Sequence, residues 1–175
     1  MKTVQGQGVS NGIAFGRLKF YHHDMNLGVQ RRPAEDAAAE IRRFEAALEE
    51  VSGQLDDLYR QTVSTLGEEN AAVFQIHQMI LEDPDFQDAV RETILAECVC
   101  APYAVHETGG RFARAFAAMD DDYMQGRAAD MADVSRQLVA ALTGRAEEPL
   151  SFGAEPVILA ADDLAPSETA RLEKG

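Results

Sequence analysis

The chain has 175 residues, of which 46% are hydrophobic, so it is long enough to bury a core and too apolar to be disordered. It carries 30 acidic and 16 basic residues, and its net charge of −14 disfavours binding to nucleic acid and favours a basic partner. The apolar runs are too short to span a membrane, and the N-terminus lacks the apolar stretch of a signal peptide. We therefore expect a cytoplasmic protein with no membrane insertion, although an acidic surface can also serve solubility alone.

The sequence does not favour a metal site. Cys98 and Cys100 form a C-x-C pair, which cannot complete a zinc site without further ligands, so we expect two reduced thiols. The run of aspartates at residues 120–122 has no second cluster of oxygen ligands with the spacing of a calcium loop. We predict that it caps a helix instead.

The N-terminal region predicts two short strands within residues 3–20, joined by a turn at residues 9–12. A polar linker follows at residues 21–32. Pro33 suits the first turn of a long helix, with acidic residues near its positive end. That helix has an apolar seam of alternating spacings of three and four, formed by Ile41, Phe44, Leu48, Val51, Leu55 and Leu58. Such a seam must be covered by other helices.

Gly67 is predicted to end this helix, and Glu68 to open a second one with too many apolar faces. Ala71, Phe74 and Leu81 form one apolar stripe of this second helix. Val73, Ile76 and Ile80 form another stripe, and Met79 belongs to neither. Residues 68–97 contain eight acids and one basic residue, Arg91. This pattern predicts a helix with one face in the core and a second face for a protein partner.

Prolines and glycines divide the remaining helices. Pro84 and Pro102 each begin a helix, and a third helix follows the aspartate run and ends at Gly144. The Gly109–Gly110 pair predicts either close helix packing or a kink. After a linker at residues 145–156, Val157–Ala161 reads as a buried strand that pairs with the N-terminal strands or with another copy of the chain. A helix capped by Ser167 is predicted to follow.

Four motifs in this order resemble enzyme I of the bacterial phosphoenolpyruvate-dependent sugar phosphotransferase system. They are GVSNGIAFG at residues 8–16, AVFQIHQMILED at residues 72–83, DDYMQGRAAD at residues 121–130 and ADDLAPSET at residues 161–169. They are similar to the family's Ser-Pro-Gly-Ile-Ala-x-Gly, Ile-Phe-x-x-His-x-Met-x-Leu-Glu-Asp, Asp-Glu-Tyr…Arg-Ala-Ala-Asp and Ala-x-Asp-Leu-Thr-Pro-Ser-Glu-Thr. Asn11 replaces the family's usual proline, and Ala165 replaces its threonine.

The resemblance implies a mainly α fold: an antiparallel helical bundle, the HPr-binding subdomain, inserted in an incomplete α/β phosphohistidine (swivelling) domain. The implied division is residues 1–32 for the N-terminal strands of the α/β domain, 33–144 for the helical subdomain, and 145–175 for a truncated return to the α/β domain. Enzyme I passes a phosphoryl group from phosphoenolpyruvate through a histidine to the carrier HPr. It uses Mg²⁺ in a C-terminal domain through which the full-length protein forms a homodimer. The family's Gly-Gly-x-Thr-Ser-His segment, which holds that histidine, would begin about ten residues beyond Gly175, so we expect this chain to dock HPr and to be inactive alone.

The resemblance also implies site residues. The partner-binding set comprises Glu68, Glu69, His77, Met79, Ile80, Asp83, Asp85, Phe86 and Arg127. No residue of this chain is assigned a catalytic role, although Thr169 matches a threonine that could orient the phosphorylated histidine. Without the resemblance, His77 would read as a packed core or surface histidine, and Arg127 with Asp130 as a helical ion pair.

Two other functions remain open at this stage. The chain could belong to a nitrogen-branch or fusion paralogue of enzyme I. It could also be an acidic helical interaction module with no phosphoryl role.

Overall fold

The chain is described from a computed structural model, and the structure describes residues 8, 11–21, 28–144, 156–161 and 164–170. A strand, five helices, a second strand and a short helix follow one another along the chain. They are β1 (Arg17–Tyr21), α1 (Ala37–Leu66), α2 (Glu68–Glu82), α3 (Pro84–Glu97), α4 (Ala101–Ala117), α5 (Asp122–Thr143), β2 (Val157–Ala161) and α6 (Pro166–Ala170). The predicted mainly helical fold, with a small strand unit at its two ends, is confirmed. No helix in these ranges is long and apolar enough to cross a membrane.

Helix α1 has the predicted seam but begins later than predicted. The seam residues Phe44, Val51 and Leu55 are buried against the other helices. The helix starts after Asp36, whose carboxylate accepts hydrogen bonds from the backbone N–H groups of Ala38 and Ala39. The prediction that Pro33 lies in the first turn was wrong, because the aspartate satisfies the free N–H groups at the helix start and Pro33 pairs with Val99 in a β-bridge instead.

The predicted boundaries of the next helices are confirmed. Gly67 separates α1 from α2 with a positive φ of 88°, a conformation that glycine adopts without a steric penalty. Pro84 is the first residue of α3, where Asp83 caps the helix by accepting a hydrogen bond from the Phe86 N–H at 3.0 Å. Asp121 caps α5 in the same way through the Met124 N–H, as predicted for the aspartate run.

Helices α4 and α5 approach each other closely at Gly109. A Cβ atom placed on Gly109 would lie 2.7 Å from Cβ of Ser135 and closer still to its Oγ. Glycine therefore permits a separation of these helices that any larger residue would prevent. Of the two predictions made for the Gly109–Gly110 pair, close packing is the one that the structure supports.

The strands form a parallel pair, with Arg17 opposite Val157 and Tyr21 opposite Ala161. The predicted pairing of residues 157–161 with the N-terminal strand is therefore confirmed. The second strand predicted within residues 3–20 begins later than predicted, at Arg17. Residues 11–16 form no strand, and Ile13 is 87% exposed. The earlier of the two predicted strands and most of both predicted linkers lie outside the described residues.

The sequence predicted that Ser167 caps the last helix, and this prediction was wrong. It lies inside α6, and its hydroxyl donates a hydrogen bond to Asp133 on α5. The carboxylate of Glu168 accepts from the Ala165 N–H at 2.8 Å and satisfies the helix start instead.

Candidate partner-docking site

Helix α2 has one buried face and one exposed face. Ala71, Phe74 and Leu81 point into the core between α1, α3 and α5. Met79 lies on the opposite side of the helix and is 71% exposed, and Ile80 beside it is half-buried. A single exposed apolar side chain is common on protein surfaces, so Met79 suggests a contact surface only in combination with the acids on the same helix.

Exposed acidic residues lie at both ends of α2, the helix that carries Met79. Glu68 and Glu69 are exposed at the start of α2, and Asp83 and Asp85 are exposed where α2 gives way to α3. We call the surface formed by Glu68, Glu69, Met79, Ile80, Asp83 and Asp85 the docking face. Its charge would attract a basic partner, and its flexible methionine suits an adaptable apolar contact.

Two residues of the predicted docking set have buried side chains. His77 is 0% exposed, and Phe86 packs inside the core with its ring against Phe112. Neither side chain reaches the docking face in this structure, because Phe86 gains more by burying its large apolar ring and His77 is held by acids of α5.

His77 lies between two carboxylates of α5. Its Nε2 atom is 3.3 Å from Oδ1 of Asp130, and its Nδ1 atom is 3.8 Å from Oδ2 of Asp133. The first distance is that of a hydrogen bond, and since a carboxylate only accepts, Nε2 carries the proton. The second is too long for one, and the ring is further fixed by an edge-on contact with Phe74.

Arg127 joins this arrangement from the surface side. Its guanidinium donates to Oδ2 of Asp130 at 2.8 Å and lies 4.2 Å from the ring centre of the exposed Tyr123. The ion pair between Arg127 and Asp130, which the sequence predicted as the plain alternative, is therefore present. Arg127 is only partly exposed.

The pKa values of this pair favour its charged form. Burial opposes the charge of Asp130, but hydrogen bonds and attraction from His77 and Arg127 lower its pKa below the ordinary 3.8. Burial likewise opposes the charge of Arg127, yet its contacts with Tyr123 and Asp130 raise its pKa above the ordinary value of arginine. The pair is therefore ionised at neutral pH.

The polar row continues along α5 through residues that the sequence analysis did not single out. Arg136 donates to Asp133, to Oγ of Ser167 at 3.2 Å and to Oε1 of Glu168 at 3.1 Å. Asp130, Asp133 and Arg136 follow Arg127 at intervals of three, so each is a neighbour of the next on the helix surface and the row winds round α5 from Arg127 to Arg136. Charged residues at every third position of a largely buried helix were the sequence signal from which this row could have been predicted.

Thr169 lies apart from this row, on the exposed side of α6. Its hydroxyl donates to the backbone oxygen of Ala165 at 3.1 Å. An orienting role for Thr169 stays a prediction.

Comparison with known proteins identifies the family. The family described as "PEP-utilising enzyme, N-terminal" matches residues 5–127. The chain belongs to this family. The resemblance to enzyme I stated from the four motifs is confirmed by its relatives.

Curated relatives among the PEP-utilising enzymes share about a third of their residues with this chain. A phosphoenolpyruvate-protein phosphotransferase of Geobacillus stearothermophilus is 37% identical over 173 residues. One from Bacillus sp. (strain S) is 36% identical over the same length. Each alignment covers 99% of this chain but 30% of the relative, so the chain spans under a third of the length of these relatives.

Solved structures of this family have the same fold. An NMR structure titled as Enzyme I (nEIt) aligns with 83% of this chain and 59% of its own, with a TM-score of 0.72 and 29% identity. The N-terminal domain of "Enzyme 1 - Nitrogen" aligns with 89% of this chain and 64% of its own, with a TM-score of 0.67. At 24% identity the second likeness shows the fold alone.

Proposed function

We propose that this chain is the carrier-docking part of a phosphoenolpyruvate-protein phosphotransferase, enzyme I, and that its docking face binds a basic, HPr-like phosphocarrier. The observation that carries the proposal is Met79, exposed among acids on a helix whose opposite face is buried. The membership of the chain in the PEP-utilising enzymes and the names of its relatives support the reaction.

The proposed reaction explains why a docking surface suffices here. The phosphoryl group leaves a histidine nitrogen of the whole protein and bonds to a histidine nitrogen of the carrier, so one P–N bond breaks as another forms. Such a transfer depends on in-line positioning and on the management of charge. The acids of the docking face would speed the encounter with a basic carrier, and Met79 with Ile80 would supply the apolar contact.

The remaining features of the whole protein follow from the same assignment. We infer that the phosphorylated histidine lies in a Gly-Gly-x-Thr-Ser-His segment beyond this sequence, that Mg²⁺ acts in a separate C-terminal domain, and that the protein is a cytoplasmic homodimer. No residue of this chain is assigned to the metal. The sequence of the gene over about twenty codons after Gly175 tests this assignment, since a gene without that segment would leave only an interaction module.

Binding of the carrier tests the docking face directly. The chain is titrated with HPr from the same organism by calorimetry and by NMR, at low and at high salt. Met79→Ala is expected to weaken binding by about tenfold, which corresponds to about 1.4 kcal/mol for one buried apolar side chain. Leu95→Ala removes an exposed leucine near the C-terminal end of α3, outside the docking face, and should leave binding within about twofold.

The charges are tested with a matched pair of double variants. Glu68→Gln with Glu69→Gln should slow association and flatten its dependence on salt, because screening acts over about 10 Å at 0.1 M. The same change at two exposed acids outside the docking face, Glu35 before α1 and Glu97 at the end of α3, removes equal charge. Absence of HPr binding to the unsubstituted chain at low salt would overturn the proposed function.

A further inference from the structure

Helix α6 is attached to the rest of the molecule mainly by polar contacts. It has five residues, and its small Ala170 side chain packs against the hydrophobic core. Ser167 and Glu168, in contrast, are buried and polar. Because so small an apolar contact leaves the orientation of a short helix poorly defined, the polar contacts decide where α6 lies.

These contacts form one network, which we call the clasp, made of Tyr21, Asp133, Arg136, Ser167 and Glu168. The hydroxyl of Ser167 donates to Oδ1 of Asp133 at 2.8 Å, and its backbone N–H faces Oδ2 of the same carboxylate at 3.4 Å. Arg136 bridges Asp133 and Glu168. The Tyr21 hydroxyl at the end of β1 donates to Glu168, so the clasp joins α5, α6 and β1.

The chemistry of the clasp indicates a role in geometry as well as in stability. Every carboxylate oxygen of Asp133 and Glu168 has a donor. Buried ion pairs are often no more stabilising than apolar residues of the same size, whereas their hydrogen bonds are directional and define one arrangement. The clasp also touches the docking helix from behind, since Asp133 faces His77 on α2.

We propose that Asp133, Arg136 and Glu168 are positioning residues, which hold α6 in a fixed place relative to the docking face. The described residues end within α6, and this chain covers 30% of the length of a curated relative. Under the proposed function, the part that carries the phosphoryl group follows α6. The clasp therefore sets the starting point of the segment that follows relative to the docked carrier. This inference rests on the proposed function, because the segment that follows must bring its phosphoryl group to that carrier.

The first test measures the orientation of α6 in this chain. Residual dipolar couplings of the backbone N–H groups of Ser167 and Thr169 are compared with those of α5. Arg136→Gln should reduce the couplings of α6 by at least half and leave those of α1–α5 unchanged. Arg136→Lys, which keeps the charge but loses the planar fork, should restore part of the order. Arg42→Gln is the matched control, since the Arg42 side chain is 67% exposed and lies 3.7 Å from Asp36.

The second test measures transfer in the full-length phosphotransferase that the proposed function implies. Arg136→Gln should lower kcat for transfer to HPr by about tenfold and leave KM for HPr within about twofold, because the docking face is intact. If Arg136→Gln does not fold, Tyr21→Phe removes one hydroxyl without changing charge and should show the same pattern more weakly.

The outcomes separate the two proposals. If the unsubstituted chain binds HPr but the clasp variants keep unchanged α6 couplings, or lose activity through KM alone, the clasp is overturned and the docking function stands. If the unsubstituted chain does not bind HPr, the proposed function falls, and the positioning role falls with it. Reduced residual dipolar couplings of α6, together with a lowered kcat and an unchanged KM for HPr, support both the docking function and the positioning role of the clasp.

Discussion

Replacement of Gly109 by alanine tests the close approach of α4 and α5, on which the position of the polar row depends. Within a helix this substitution alone stabilises a protein by about 0.5–1 kcal/mol, because alanine loses less backbone entropy on folding than glycine. At Gly109 the added methyl group would meet Ser135, with only 2.7 Å between the two Cβ atoms. Overpacking of this kind costs about 1–3 kcal/mol.

The same substitution at Gly53 separates the two effects. Gly53 lies in the middle of α1, and a Cβ atom there meets no atom of the described residues within 4 Å. Gly53→Ala is therefore expected to stabilise the chain, and the difference between the two variants gives the steric cost of about 1–3 kcal/mol. Gly109→Ala alone should be destabilising by up to about 2 kcal/mol, once its gain in helix propensity is included.

Urea denaturation followed by circular dichroism measures these differences as shifts of the midpoint at a constant slope. In a Ser135→Gly background, where both the Cβ and Oγ atoms are absent, Gly109→Ala should become stabilising. Equal stabilisation by Gly109→Ala and Gly53→Ala in the unsubstituted background would show that the close helix contact does not exist.

Three further predictions concern single contacts. The lowered pKa of Asp130 means that its ionised form stabilises the fold fully above the unfolded value near 3.8 and that this contribution is lost as pH falls through the folded value. Asp130→Asn should therefore lower the free energy of unfolding by about 1–3 kcal/mol at pH 7. At about pH 2 the variant and the unsubstituted chain should be equally stable, and urea denaturation at both pH values measures this. An equal cost at both pH values would contradict the pKa shift. Tyr123→Leu removes the stacked ring over Arg127 and should cost about 0.5–1 kcal/mol in thermal unfolding, whereas the same change at Tyr59, which packs against the core, should cost more through lost burial. Asp83→Ala removes the cap of α3 and should cost about 1 kcal/mol, with Asp83→Asn as the conservative control, and equal stability of all three proteins would contradict the capping role.

The helices could be predicted from the sequence because their signals are local. The spacing of Phe44, Val51 and Leu55 marks a buried helix face, and Gly67 and Pro84 mark helix ends that depend on the backbone chemistry of single residues. The start of α1 was misplaced by a few residues because two start signals, Pro33 and Asp36, compete within one turn. Only the packed structure shows that Pro33 pairs with Val99 instead.

The docking face was predictable in part. Its acids and Met79 could be read from composition and helical spacing, since exposure follows from lying opposite an apolar stripe. The burial of His77 and Phe86 has a local signal as well, since His77 lies three residues after Phe74 and Phe86 lies four before Val90. The resemblance nevertheless placed both in the docking set, and spacing alone does not say which partners His77 meets. Asp130 and Asp133, on a helix more than fifty residues away in sequence, draw His77 inward.

The sequence alone determined the order of helices and strands, the acidic character of the docking helix and the family, because these depend on local chemistry and on motifs that lie contiguous in the chain. Tertiary structure alone decided how far each α2 side chain is exposed or buried, and that Tyr21, Arg136 and Glu168 meet in one network. The physical reason is that a buried charge is stable only with partners, and these partners come from segments separated by as many as 147 positions in the chain.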